Sequence, residues 1–361
     1  MVSLQVERWA GRAGYRRCPG RVPEAVRAQQ IQSTDGPDGL RMVETDEPSG
    51  DGRVLIDVAA AGVSFPDLLM SRGLYQVKPP LPFVPGVEVA GIVRGAPRES
   101  GFVAGESVMA FTMLGGFAEV ATADTAVTRR VPRQFTVEAA SGFLMNYHTA
   151  HFALARRAHV REGETVAVQG AAGGLGTAAV QVACGLGARV IAVVSSHAKA
   201  DVARRAGAHE VVDTRSGWAD ALRAATDGRG ADVILDPVGG DRFDESLRCL
   251  APEGRLVVVG FTEGRIPSVQ VNRLLFRNVS ILGAAWGAFL AVEPSLFAAT
   301  QTALDEMIER GVVAPIVGAT FPLEQAGDAL RSLEDRSAVG KVVLTVGARA
   351  DEGSRALDAP A

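Results

Sequence analysis

The stretch Thr165-Val166-Ala167-Val168-Gln169-Gly170-Ala171-Ala172-Gly173-Gly174-Leu175-Gly176 constrains this chain more than any other. A β-branched apolar run feeds a glycine-rich turn, which opens into Thr177-Ala178-Ala179-Val180-Gln181-Val182-Ala183-Cys184, where apolar residues recur at helical spacing. The pattern predicts a strand, a tight loop and a helix start. The first N–H groups of a helix have no partner within it, and the helix dipole places partial positive charge there, so an anion is favoured at that end. Glycines let the backbone approach a pyrophosphate and let the helix pack against the strand. The spacing Ala171-x-Gly173-x-x-Gly176 is a dinucleotide fingerprint with alanine in place of its first glycine. A tight turn in some other α/β protein is the bland alternative. The strand–helix context, and the second strand Arg189–Val194 beyond it, favour a dinucleotide site at Ala172, Gly173, Gly174, Leu175 and Gly176.

In such folds an acidic side chain at the tip of the second strand bonds the ribose hydroxyls and selects the unphosphorylated dinucleotide. Here that tip is Ser195, followed by Ser196 and Lys199, with no carboxylate. The serines can donate hydrogen bonds and Lys199 can meet a 2′-phosphate, which points to NADPH. Arg215, after the third strand, is a second candidate phosphate contact. A plainer reading makes the serines helix caps and Lys199 a solvated side chain; capping and phosphate binding are compatible.

The chain has 361 residues, which suggests two domains. With 47% hydrophobic and 22% charged residues it reads as globular. A net charge of -4 gives no electrostatic reason to expect nucleic acid or an anionic membrane surface as partner, and no apolar run is long enough for a membrane span. Cys18, Cys184 and Cys249 are scattered, which points to a reducing, cytoplasmic setting and away from a thiolate-rich zinc site. Residues 1–25, with arginines among Gly, Pro and Trp, lack apolar periodicity and a secretory h-region. They read as a disordered extension, a basic targeting arm or the product of an upstream start codon. From 26 to 147 the pattern is β-rich, with strands expected over 53–63, 87–93 and 106–111. From 148 to 285 strands and helices alternate, with strands expected at 164–168, 189–194, 210–213, 232–236, 255–260 and 279–282. That alternation implies α/β architecture with a parallel, doubly wound, six-stranded sheet. Residues 286–346, with helices near 296–310 and 323–334 and a strand at 341–346, are expected to return to the first module. Residues 347–361 read as a disordered tail.

Several segments, in this order and spacing, resemble the medium-chain dehydrogenase/reductase superfamily, and within it the zinc-free NADPH:quinone oxidoreductase (ζ-crystallin-like) branch. They are Gly62-Val63-Ser64-Phe65-Pro66-Asp67, Arg72-Gly73-Leu74-Tyr75, Pro85-Gly86-Val87-Glu88-Val89-Ala90-Gly91, the glycine-rich turn and Gly340-Lys341-Val342-Val343-Leu344. The resemblance covers roughly 26–346. It implies a GroES-like, partly antiparallel β-barrel catalytic domain (26–147 and 286–346) interrupted by a Rossmann domain (148–285), and it implies homodimers. Zinc enzymes of the superfamily carry ligands where this chain has Ser64, Val87 and Met145, and none of these three side chains suits the metal. Asp67 and Glu88 match positions behind those ligands and are expected to bond loops and backbone amides.

Without a Lewis acid, oxidising an alcohol is difficult, whereas reducing a quinone or an α,β-unsaturated carbonyl is easier. The resemblance places Tyr75 near the substrate as candidate hydrogen-bond donor, with packing of its loop as the alternative. Ser64 stands where relatives often have Asn and Leu69 where some have a second Tyr, which suggests a more apolar cleft. Asn146, His148 and Thr149 fall where the nicotinamide is expected. His148 is either a proton donor or a structural hydrogen-bonder. Gly260 and Phe261 end the fifth strand, where backbone should line the nicotinamide. Lys341 matches a pyrophosphate contact, or is an exposed edge-strand lysine. The expected activity is therefore hydride transfer from NADPH to a quinone or enone. An acryloyl-type enoyl-CoA reductase and a non-catalytic NADPH-binding protein are the alternatives.

Overall fold

The computed structural model describes residues 25–215 and 217–347. Strands β1 Ala25–Ile31, β2 Leu40–Asp46, β3 Val54–Val63, β4 Glu88–Gly95, β5 Ser107–Phe111, β6 Val120–Ala123 and β7 Thr128–Arg130 come first. Strands β8 Thr165–Gln169, β9 Arg189–Val194, β10 Glu210–Asp213, β11 Ala231–Asp236, β12 Leu250–Val258 and β13 Ser280–Gly283 follow, with helices between most of them. Strands β14 Val317–Pro322 and β15 Lys341–Thr345 close the chain. The residues fall into two units: one runs to Leu144 and includes Ala319–Ala338 and the residues from Val342 on, and the other comprises Met145–Gly318 and Val339–Lys341.

The first unit is built on β3. Its first half alternates buried and half-buried residues and its second half is buried throughout, so one strand serves two packing environments. It pairs antiparallel with β4, β6 and β15, in a sheet ordered β14-β15-β3-β4-β5-β7. Ile56, Val58, Val89, Val108, Phe117, Leu330 and Leu344 meet in its core. Each such side chain contributes roughly 1.5–3 kcal/mol before chain entropy is counted. The expected segments 53–63, 87–93 and 106–111 are β3, β4 and β5 to within two residues. The β1–β2 hairpin and the helix Phe65–Ser71 were not foreseen, although Ser64 at the N-cap and Pro66 in the first turn are ordinary start signals for that helix.

The second unit is a parallel sheet in the order β10-β9-β8-β11-β12-β13. Every residue of β11 is buried, as expected of a strand covered on both faces. Successive strands step outward from β8 to β10, and then the chain crosses back to place β11 on the other side of β8. The switch point, where ligands bind in open α/β sheets, therefore lies between the carboxyl ends of β8 and β11.

Two expectations are corrected. Strand β12 begins at Leu250 rather than 255, with a register shift against β11. The return to the first unit comes at Ala319 rather than 286. The helix Leu296–Glu309 stays with the parallel sheet because Phe297 stacks on His148 at 4.4 Å between ring centroids and Gln301 bonds the same imidazole. The expectations for the two termini concern residues that, apart from Ala25 and Gly347, lie outside those described.

Candidate functional site

Strand β8 delivers Gly170, which takes a positive φ of 61°, and the helix Gly174–Gly185 starts at an N-cap on Gly173. The turn is tight enough to demand its last glycine: a Cβ on Gly176 would sit 2.1 Å from the Gly170 carbonyl oxygen. Leu175 and Gly174 lie in the first helical turn, half-buried, with Ala172 buried behind them. Their backbone forms the helix start at which an anion is favoured.

Two side chains reach this turn, and a third shares a helix face with one of them. On the helix Leu144–His151, Asn146 and Thr149 are three residues apart and share a face. Asn146 Nδ2 lies 2.8 Å from where a Gly174 Cβ would be, and Lys341 Cδ lies 3.4 Å from it. Lys341 is 4% exposed, so the exposed edge-strand alternative is set aside. Its neighbour Gly340 donates its N–H to the Ala172 carbonyl at 2.6 Å, which stitches this strand start to the glycine turn. Thr149 Oγ1 is buried with no hydrogen-bond partner in the protein, and polar atoms so placed call for one.

At the tip of β9, Lys199 Nζ donates to Ser195 Oγ at 3.4 Å. Ser196 Oγ accepts the Lys199 N–H at 3.3 Å and caps the helix His197–Arg205. Ser196 is thus a cap, and the charge of Lys199 sits beside the serine at the strand end. Arg215 is engaged differently. Its N–H groups reach both oxygens of Asp213 at 2.6–3.1 Å, and this pairing holds the Asp213 carboxyl down at about 2. Sequence reasoning missed Asp213, whose nearness to Arg215 in the chain was the available signal.

His148 is fully buried. Its ring packs on Phe297 and on Trp286, at 5.2 Å, and its Nε2 meets Gln301 Oε1 at 2.9 Å. Burial, ring packing and the bond to Gln301 are the setting of the structural hydrogen-bonder among its two readings. Gly260 and Phe261 follow β12, and the Thr262 N–H donates to the Pro237 carbonyl at 3.0 Å, tying this segment to the turn after β11.

In the first unit, Ser64 precedes a helix whose Asp67 is fully buried. Asp67 Oδ2 accepts the Ser64 N–H at 2.9 Å and Oδ1 accepts the Gly86 N–H at 3.0 Å. Ser64 Oγ donates to Glu88 Oε1 at 3.5 Å. The expected backbone-bonding role holds for Asp67. Burial, and secondarily the charge of Asp67, push the Tyr75 phenol up to about 12, so at neutral pH it keeps its proton and can donate it.

Residues 50–151 match the alcohol dehydrogenase GroES-like domain, and residues 174–307 match the zinc-binding dehydrogenase domain. Quinone oxidoreductase-like protein 2 of Rattus norvegicus is 37% identical over 302 residues, covering 83% of this chain and 86% of that protein. The chain belongs to the quinone oxidoreductases of the medium-chain dehydrogenase/reductase superfamily. A probable oxidoreductase from Mycobacterium abscessus superposes with a TM-score of 0.82 at 45% identity, covering 90% of this chain and all (100%) of that one. A quinone oxidoreductase from Thermus thermophilus, solved also with NADPH, superposes with a TM-score of 0.77 at 36% identity, covering 88% and 99%. The family pairs a GroES-like domain with a Rossmann-like parallel sheet, as the two units here do. No helix of the described residues is long and apolar enough to cross a membrane. Among the described residues no group of three or more His, Cys, Asp or Glu could hold a metal ion.

Proposed function

We propose that this chain is a zinc-independent NADPH oxidoreductase that reduces a quinone or an α,β-unsaturated carbonyl. The observation that carries it is a strand-end lysine on a serine, with no carboxylate at the tip of β9, in the sheet that bears the glycine turn. The residues suit the coenzyme. Lys199 and Ser195 would take the 2′-phosphate, the N–H groups of Gly174, Leu175 and Gly176 with Lys341 the pyrophosphate, and Asn146 and Thr149 the nicotinamide end. Backbone at Gly260 and Phe261 would line the nicotinamide. Arg215, already paired with Asp213, is left a minor role. Bound there, NADPH supplies the hydride.

The protein's own contribution is to hold the acceptor and to stabilise charge on its oxygen. Tyr75, protonated to about 12, is the proposed donor, and Ser64, in the same unit, is a second candidate. A hydroxyl, an isopropyl group and a thioether at Ser64, Val87 and Met145 support chemistry without zinc.

A homodimer belongs to the same proposal. Strand β13 ends the parallel sheet, and Ile266, Val271, Leu275 and Phe276, in the segment leading to it, are each about 70–80% exposed. A second copy of the chain would cover them. The acidic balance of -4 supports no nucleic-acid role. Cys184 and Cys249 are free, in keeping with a reducing, cytoplasmic setting.

The test follows NADPH absorbance with 1,4-benzoquinone, a simple enone and crotonyl-CoA in parallel. Turnover with the quinone or enone supports the proposal. Turnover with the thioester alone makes the chain an enoyl-CoA reductase, and tight NADPH binding without turnover on any acceptor makes it a non-catalytic binder.

A further inference from the structure

At the switch point two buried side chains stand on adjacent strands with an unsatisfied acceptor each. Val168 of β8 is in register with Leu235 of β11, so the next residues, Gln169 and Asp236, are neighbours at the two carboxyl ends. Gln169 is fully buried and Asp236 is 1% exposed.

The amide of Gln169 has a fixed orientation. Ser246 Oγ spends its hydrogen on the Arg242 carbonyl at 2.9 Å, so it can only accept from Gln169 Nε2, at 3.0 Å. That leaves Gln169 Oε1 as a buried acceptor with no donor in the protein. Asp236 Oδ1 accepts two backbone N–H groups, from Val238 at 2.8 Å and Gly239 at 2.9 Å, while Oδ2 has none. If the carboxyl were ionised, these neighbouring strand ends would carry two buried acceptors and no donor for either. One proton satisfies both.

We propose that Asp236 is held as a neutral carboxylic acid that donates its hydrogen from Oδ2 to Gln169 Oε1. The bond joins two loops. Oδ1 shapes the turn Pro237–Gly240, and that turn packs on the glycine-rich loop: a Cβ on Gly170 would touch Val238 at 3.6 Å. The same turn accepts N–H groups from Thr262 and Glu263 at 3.0 Å. Asp236 thereby positions the loops on both sides of the switch point. Burial is the largest influence on this carboxyl and raises it, against its two N–H donors and the charge of Arg242 on the helix Arg242–Cys249. Glu263, beside Gly240 in the loop after β12, is a further charged group on a neighbouring element.

Infrared difference spectroscopy of the full chain at neutral pH, wild type against Asp236→Asn, reads the proton directly. The expected result is a neutral-carboxyl C=O band in the wild type that is absent from D236N. A carboxylate signal in its place overturns the proposal. The positioning role rests on the NADPH reading and is tested apart from it. In D236N the amide oxygen keeps both N–H bonds and the amide nitrogen donates to Gln169, so NADPH affinity should stay within about twofold of wild type. Asp236→Ala should lose on the order of tenfold, the worth of one hydrogen bond. If D236A fails to fold, the infrared band and the D236N affinity still decide. If D236N binds as weakly as D236A, the neutral acid is excluded. Absence of NADPH binding by the wild type, with the band present, would count against the functional proposal alone.

Discussion

Lys199 donates to Ser195 across 3.4 Å at the carboxyl end of β9, the place where a dinucleotide fold reads the ribose. Lys199→Ala removes a charged donor. It should weaken NADPH by about 1.5–3 kcal/mol and leave NADH nearly unchanged. Isothermal titration with both coenzymes checks it, and equal losses would contradict the assignment. Arg215→Ala, whose partner is Asp213, should have a much smaller effect in the same titration.

Tyr75 keeps its proton to about 12, so it remains a donor throughout the neutral and mildly alkaline range. Tyr75→Phe should lower kcat by about 10–100-fold with little change in the Kd for NADPH, the pattern of a donor used chiefly in the transition state. An unchanged kcat would make the loop of Tyr75 a packing element.

Gly176 has no room for a side chain, since a Cβ would lie 2.1 Å from the Gly170 oxygen. Gly176→Ala should cost about 1–3 kcal/mol of stability through overpacking, and weaken NADPH because the helix start must shift. Thermal unfolding with and without coenzyme measures both.

Stability should depend on pH through Asp236. In the unfolded chain its carboxyl loses its proton near the ordinary value of about 3.9, and in the folded protein at a higher pH. Between those values the native state binds more protons than the unfolded one, so stability falls as pH rises. The contribution is complete below the unfolded value and is lost as pH passes through the folded one. Urea unfolding of wild type and D236N across this window should show a gap that widens in favour of D236N with rising pH. Parallel curves would contradict the shift.

The parallel sheet was the most legible part of the chain because each strand is a short apolar run closed by glycine or a polar turn. β9 and β10 match the sequence expectation residue for residue. The glycine turn was legible for the same reason, and so was the missing carboxylate at Ser195. What could not be read is what long-range packing decides. The helix Leu296–Glu309 has the pattern of any amphipathic helix, and nothing local shows that Phe297 and Gln301 meet His148. The burial of Lys341 depends on Gly340 bonding Ala172, far away in sequence. Asp236 had a signal that went unused: an acid closing the apolar run Val233-Ile234-Leu235, just before Pro237-Val238-Gly239-Gly240.

The most direct measurement of the central claim is NADPH consumption with 1,4-benzoquinone by the purified chain, with and without a strong zinc chelator. Rapid oxidation at the same rate in both is the predicted result. Loss of activity on chelation, restored by added zinc, would contradict it, and so would coenzyme binding with no turnover of quinone or enone.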